Sequence, residues 1–178
     1  MLIPLLLAAL SGMAMPDALA ESDPVCAIAP ERQQAMISAG YDAFDLGASD
    51  DLSWRPVMNR GCYETAAGLI VHYLERNDVQ LNDEQRRTLN FHAGQVLAFG
   101  GEDAKSVRYF ERSLGGSTEW NAYAEATLAF MRHDRPNFDV AVRNYTQAAP
   151  KSPRNAVLAS LGACFDMPYR AAVMCEPG

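Results

Sequence analysis

Three observations predict an all-α protein of antiparallel helical hairpins. Apolar residues recur at steps of three and four, capping residues and glycine pairs punctuate those runs, and no comparable stretch alternates with period two. Over the 178 residues these marks predict about eight helices, near 30–46, 53–76, 83–99, 102–114, 118–133, 136–148, 153–165 and 168–175. The connections are short, so successive helices must run antiparallel. No linker or low-complexity stretch divides them, which makes residues 21–178 a single domain.

Each element has its own signal. Residues 30–46 end among Asp42, Asp45, Asp50 and Asp51, which read as a solvated helix end and N-cap. The order DAFDLGASDD does not supply the alternating ligands and distal Glu of a calcium loop. In YETAAGLIVHYL, residues 63–74, Tyr63, Ala66, Ala67, Ile70 and Leu74 form one apolar stripe. Asn82 and Gln85 have the spacing of an N-cap and its N3 partner, opening a helix that runs to Phe99 and the breaking pair Gly100-Gly101. Gly115-Gly116 stops the next helix. Trp120, Tyr123, Ala124, Thr127, Leu128 and Met131 carry the one after it. Pro136 and the pair Ser152-Pro153 suit helix starts, where the missing proline N–H costs nothing. Asp166-Met167-Pro168 makes a turn, and Tyr169 begins a short returning helix.

Residues 1–20, MLIPLLLAALSGMAMPDALA, are set apart from this pattern. The apolar run Leu2–Leu10 is too short to span a bilayer, and Ala18-Leu19-Ala20 is a pattern that signal peptidase accepts. A cleaved signal peptide is expected, although no Lys or Arg precedes the run. The residue before Cys26 is not the small one a lipid-modified cysteine needs. The mature chain is therefore expected in a periplasm or outside the cell, with no membrane insertion. Its cysteines agree. Cys26, Cys62, Cys164 and Cys175 are an even set without a CxxC, which favours two disulfides. Four cysteines allow three pairings, and proximity in sequence suggests Cys26–Cys62 and Cys164–Cys175.

The chain carries 15 Lys and Arg against 22 Asp and Glu, a net charge of −7. That balance argues against a nucleic-acid partner, which needs a basic surface. Catalytic motifs are also missing: there is no GxSxG, P-loop or GxGxxG, and His72 and Glu75 lack the second histidine of HExxH. His72, His92 and His133 fall in three different helices, and structural or solvated roles are expected for all of them. No cofactor, metal or catalysis is expected. Lys105, Arg108 and Arg112 form a basic stripe at i, i+3 and i+7 with Glu102 and Glu111 nearby. The default for that stripe is a solvated face laced with ion pairs, and the sharper alternative is a dock for an acidic peptide.

A repeat emerges when the helices are aligned. Leu158-x2-Leu161-Gly162-x2-Phe165 and, more loosely, Asn90-x2-Ala93-Gly94-x2-Leu97 share one pattern. Ser106-x3-Phe110 and Ala141-x3-Tyr145 share a second, the latter followed by Ala148 and Pro153. Phe110 and Tyr145 lie 35 residues apart. Over about residues 83–175 the chain resembles the tetratricopeptide repeat (TPR) family, whose period is about 34 residues. It departs from that family in keeping no complete signature, in an overlong first helix of the middle unit, and in a first hairpin similar only in being two helices. The resemblance implies hairpins stacked as a short α-solenoid whose first helices line a groove. The positions carried over are Thr88, Phe91, Gln95, Ala98, Phe99, Glu119, Ala122, Ala126 and Phe130. It further implies an interaction module that holds a protein or peptide partner. The alternative is a small secreted enzyme or ligand-binding domain with its site between hairpins, which a closed pocket holding His72 or His92 beside a carboxylate would mark.

Overall fold

The computed structural model describes residues 24–176 except 48, 50, 77 and 79; the expected signal peptide lies outside them. Among the described residues there are ten α-helices and no strand: α1 Pro30–Ile37, α2 Tyr41–Phe44, α3 Arg55–Asn59, α4 Tyr63–Glu75, α5 Asp83–Phe99, α6 Asp103–Arg112, α7 Thr118–Met131, α8 Arg135–Ala148, α9 Arg154–Ala163 and α10 Tyr169–Val173. None is long and apolar enough to cross a membrane.

The last six helices match the sequence expectation within two residues at each end. The first two expected helices are instead four. The stretch 30–46 breaks at Gly40, whose extended backbone (φ −67°, ψ 156°) opens α2. The stretch 53–76 breaks at Gly61, which takes φ 85°, a conformation that glycine alone adopts freely. Trp54, Met58, Cys62 and Ala66 keep a four-residue spacing across that break and pack in one core, so periodicity alone runs through it.

Local chemistry explains the later boundaries. Asn82 and Gln85 close a reciprocal capping box at the start of α5, and Ser117 accepts from the Trp120 N–H at the start of α7. Gly101, at φ 80°, makes the left-handed turn after α5.

Two apolar cores share α5. Leu89, Ala93, Val96 and Leu97 face α1–α4, packing with Met36, Phe44, Trp54, Ile70 and Tyr73. Phe91 and Ala98 face the core built from α6–α10. A helix apolar around most of its circumference belongs inside a protein. The α5/α6 hairpin closes on Gly94: a Cβ placed there would lie 2.9 Å from the Phe110 ring. Phe110 and Tyr145, the aromatic pair 35 residues apart, are both fully buried.

Each end of the molecule is stapled. Cys26–Cys62 ties the N-terminal turn to the start of α4. Cys164–Cys175 clasps α9 to the chain after α10, with 6.4 Å between Cα atoms. α10 then does something a linear stack would not. Besides α9 it reaches α5, seating Tyr169 against Phe99, Phe110 and Phe130. Gln95 Nε2 donates to the Tyr169 hydroxyl at 3.3 Å.

Removing the Phe110 ring should cost about 3–5 kcal/mol, and Gly94→Ala, which overpacks the same contact, about 1–3 kcal/mol. Cys164→Ser should cost a further 2–3 kcal/mol or so, from reopening a loop whose cysteines are 11 residues apart. Urea unfolding in non-reducing buffer measures all three.

Candidate functional site

The first turns of α5, held by the capping box, present Glu84, Arg87 and Thr88 along one side. Facing them is the Gly115–Ser117 turn that leads into α7. That turn is tied down from within. Asn121 Oδ1 accepts from the Gly115 and Gly116 N–H groups at 3.0 and 2.9 Å, and Trp120 Nε1 donates to the Ser113 carbonyl at 2.6 Å. Gly116 has no room for a side chain, because a Cβ would meet the Trp120 ring at 2.7 Å and Arg87 Nε at 3.2 Å. Arg154 at the start of α9 completes the far wall, its guanidinium 4.9 Å from the Tyr123 ring centre and 5.6 Å from that of Trp120.

These residues enclose an open cleft of about 320 Å³ lined by Glu84, Arg87, Thr88, Ser117, Glu119, Trp120 and Arg154. Among the described residues neither Arg87 nor Arg154 has a carboxylate within ion-pair distance. Two arginines, two glutamates, two hydroxyls and an indole therefore face one opening. Such a lining can hydrogen-bond a peptide backbone and pair with its side chains of either sign. Burial behind the cleft pushes the Tyr123 phenol up to about 12, so it stays neutral and serves as a surface for Arg154.

The expected groove residues divide between this cleft and the interior. Thr88 and Glu119 line the cleft together. Gln95 and Phe99 are half-buried and face α10. Phe91, at 3 % exposure, and Phe130, at 1 %, are core residues, as are Ala98, Ala122 and Ala126; none of these offers a surface that a partner could touch. Phe91 backs the cleft by packing edge-on to Trp120 and Phe110. Sequence reasoning did not find Arg87, Trp120 and Arg154 as cleft residues. Their signal lay in three helix starts that converge only in the fold.

A second polar cluster lies beside Thr88. Asp45 was expected to be solvated, but it is fully buried, because the chain after α2 folds back and lays Trp54 and Arg55 over it. His92 Nδ1 is 2.8 Å from Asp45 Oδ1, Trp54 Nε1 donates to the same oxygen at 3.1 Å, and Arg55 Nε donates to the Asp45 carbonyl at 2.8 Å. Oδ2 has no partner. Burial on its own pushes the Asp45 carboxyl up, but the hydrogen bond and charge of His92, with the Trp54 donor and the nearby Tyr41 hydroxyl, outweigh it and hold the group below the usual carboxylate range. Tyr41 is pushed the other way by burial and by the Asp45 charge. His92 keeps 19 % of its side chain exposed. It lines none of the hollows described in the molecule. No grouping of His, Cys, Asp and Glu able to hold a metal occurs among the described residues.

No protein-family model matches this chain, and no curated protein or solved structure is similar to it.

A carboxyl held below its unfolded value stabilises the fold above that value and loses its contribution as the pH falls through the folded one. Acid unfolding should therefore steepen below pH ~4, the unfolded Asp value, and Asp45→Asn should flatten that limb in a pH series of melting curves. His92→Ala should cost about 1.5–3 kcal/mol at pH 7, the range for a hydrogen bond to a charged group.

Proposed function

We propose that the mature chain is a short TPR-like helical solenoid of an oxidising extracytoplasmic compartment, periplasmic or secreted, that holds an extended segment of a protein partner in the α5/α7/α9 cleft. The observation that carries this reading is the convergence of Thr88 and Glu119 on one cleft. The two were matched to groove positions through separate helices and lie 31 residues apart in sequence. Two arginines without carboxylate partners supply the polar anchors, and Trp120 supplies an apolar wall. Aromatic residues and arginine are the side chains most often responsible for binding energy at interfaces. The disulfides at both ends support the compartment, since such bonds persist where the surroundings oxidise thiols.

One observation favours the alternative, a secreted enzyme: the His92–Asp45 pair has the arrangement of a histidine oriented by a buried carboxylate. The fold gives the pair a sufficient role, since a buried carboxylate must be hydrogen-bonded.

A photo-crosslinking side chain at Glu119 should capture a discrete protein from the native compartment. Capture should fall at least tenfold in Arg87→Glu/Arg154→Glu, and the same crosslinker at exposed Arg143 on α8 should recover none of that product. Crosslinking that is equal at both positions sinks the proposal, and hydrolysis of a model ester abolished by His92→Asn would establish the enzyme instead.

A further inference from the structure

Leu97 lies nine residues, or about two and a half turns, beyond Thr88 on α5, and so on the side turned away from the cleft. There α4 and α6 both pack on α5 and leave a trough of about 440 Å³ between them. Its floor is Ala67, Val71 and Leu97, and its rim is Lys105, Arg108 and Arg112. A second hollow of about 300 Å³ on the other side of α4 reaches Ile28 and Gln33, and the two meet at Gly68 and His72.

Gly68 is the first unexplained feature. It sits exposed in the middle of α4, where glycine weakens a helix. Nothing inside the fold requires it, since a Cβ built there meets no atom within 4 Å. A side chain at that position would stand up in the passage joining the two hollows. Its absence leaves the α4 backbone open to close approach from outside.

The second feature is charge. The basic stripe of α6 was expected to be neutralised along its own helix, but Glu111 pairs with Arg132 of the α7 end instead. Lys105 keeps Glu102 at 3.0 Å. Arg108 and Arg112 have no carboxylate within ion-pair distance among the described residues, and Arg112 lies over the Tyr109 ring at 5.4 Å. On a chain of net charge −7, one apolar trough is thus edged by cations, with Glu64 as the acid on its lining.

We propose that this trough docks an acidic amphipathic helix of a partner protein, seated on Ala67, Val71 and Leu97, its backbone close to Gly68 and its carboxylates on Arg108 and Arg112. The stripe from Lys105 to Arg112 is about 10 Å long, two turns of helix, which matches apolar anchors at i, i+3, i+4 and i+7 on the incoming segment. The site is distinct from the α5/α7/α9 cleft, and both can be occupied together.

The probe is a fluorescein-labelled helical peptide with leucines at i, i+3, i+4 and i+7 and glutamates elsewhere, compared with the same peptide carrying lysines, by fluorescence anisotropy on the oxidised full-length protein. The glutamate peptide should bind saturably at low salt and at least tenfold more tightly than the lysine peptide, weakening as salt rises. Arg108→Glu/Arg112→Glu should lose at least tenfold in affinity. So should Gly68→Gln, while melting no lower than wild type, because it replaces a helix-weakening residue in open space. Arg87→Glu/Arg154→Glu should bind as wild type, which separates this site from the cleft. Absence of saturable binding, equal binding of the two peptides, or unchanged affinity in both trough variants would overturn the proposal. A dimer in light scattering that the trough variants dissolve would also overturn it, by assigning the surface to a second copy of the chain.

Discussion

The architecture depends on the contact between Gly94 and Phe110. Bringing α6 onto α5 closely enough to bury a whole phenyl ring beneath a backbone fixes where α6 lies. The position of α6 sets both the gap towards α4 and the start of α7. Because α5 packs on both of its long sides, it belongs to two cores at once, and few of its side chains remain free for other work. Among those that do are Glu84, Arg87, Thr88, His92 and Gln95, which belong to neither apolar core. Each then meets one specific feature: the cleft for Glu84, Arg87 and Thr88, the buried Asp45 for His92, and Tyr169 for Gln95.

Legibility in the sequence follows the range of the forces involved. The start of α5 was readable because an N-cap and its N3 partner act within four residues, and Gly94 and Phe110 because a hairpin joins positions 16 residues apart. Cys164–Cys175 was readable for the same reason, its cysteines being 11 residues apart, whereas Cys26–Cys62 spans 36 and was suggested by proximity in sequence among four cysteines. Asp45 was not legible. A carboxylate in an acidic run looks solvated until a chain reversal places an indole, a guanidinium and, from 47 residues away, an imidazole around it. The buried aromatics show a different limit. Phe91 and Phe130 occupy groove positions by their place in the repeat, but α10 and Trp120 cover the places where they would have been exposed.

Charge is distributed in a way that stability alone does not require. Surface ion pairs contribute little, so leaving arginines unpaired costs the fold almost nothing. Several cations of this acidic chain have no ion pair among the described residues, Arg60, Arg143 and Arg170 among them; Arg87 with Arg154 and Arg108 with Arg112 are pairs that border a hollow, on opposite sides of α5. In each, an arginine lies over an aromatic ring, Arg154 over Tyr123 and Trp120, Arg112 over Tyr109. A stacked guanidinium gives up conformational freedom while keeping its edge donors available. Such cations are partly pre-organised for an anionic group arriving from outside.

Helices at the two ends of such a packing are covered on fewer sides, and elements of that kind are the ones that fray. Here the ends carry the covalent bonds. Cys26–Cys62 closes the N-terminal segment that holds a turn and the three short helices α1–α3. At the other end α10 turns back from α9 to reach α5, where the Cys164–Cys175 bond holds it and Tyr169 fills the space among Phe99, Phe110 and Phe130. This closure ties the last helix to α5 and so couples the C-terminal clasp to the helix that both cores share. Tyr169 thereby lies in the Phe110 cluster, beside the α5/α6 contact on which cleft and trough both depend. The clasp is thus more than a terminal staple: it holds a helix that is packed back onto α5.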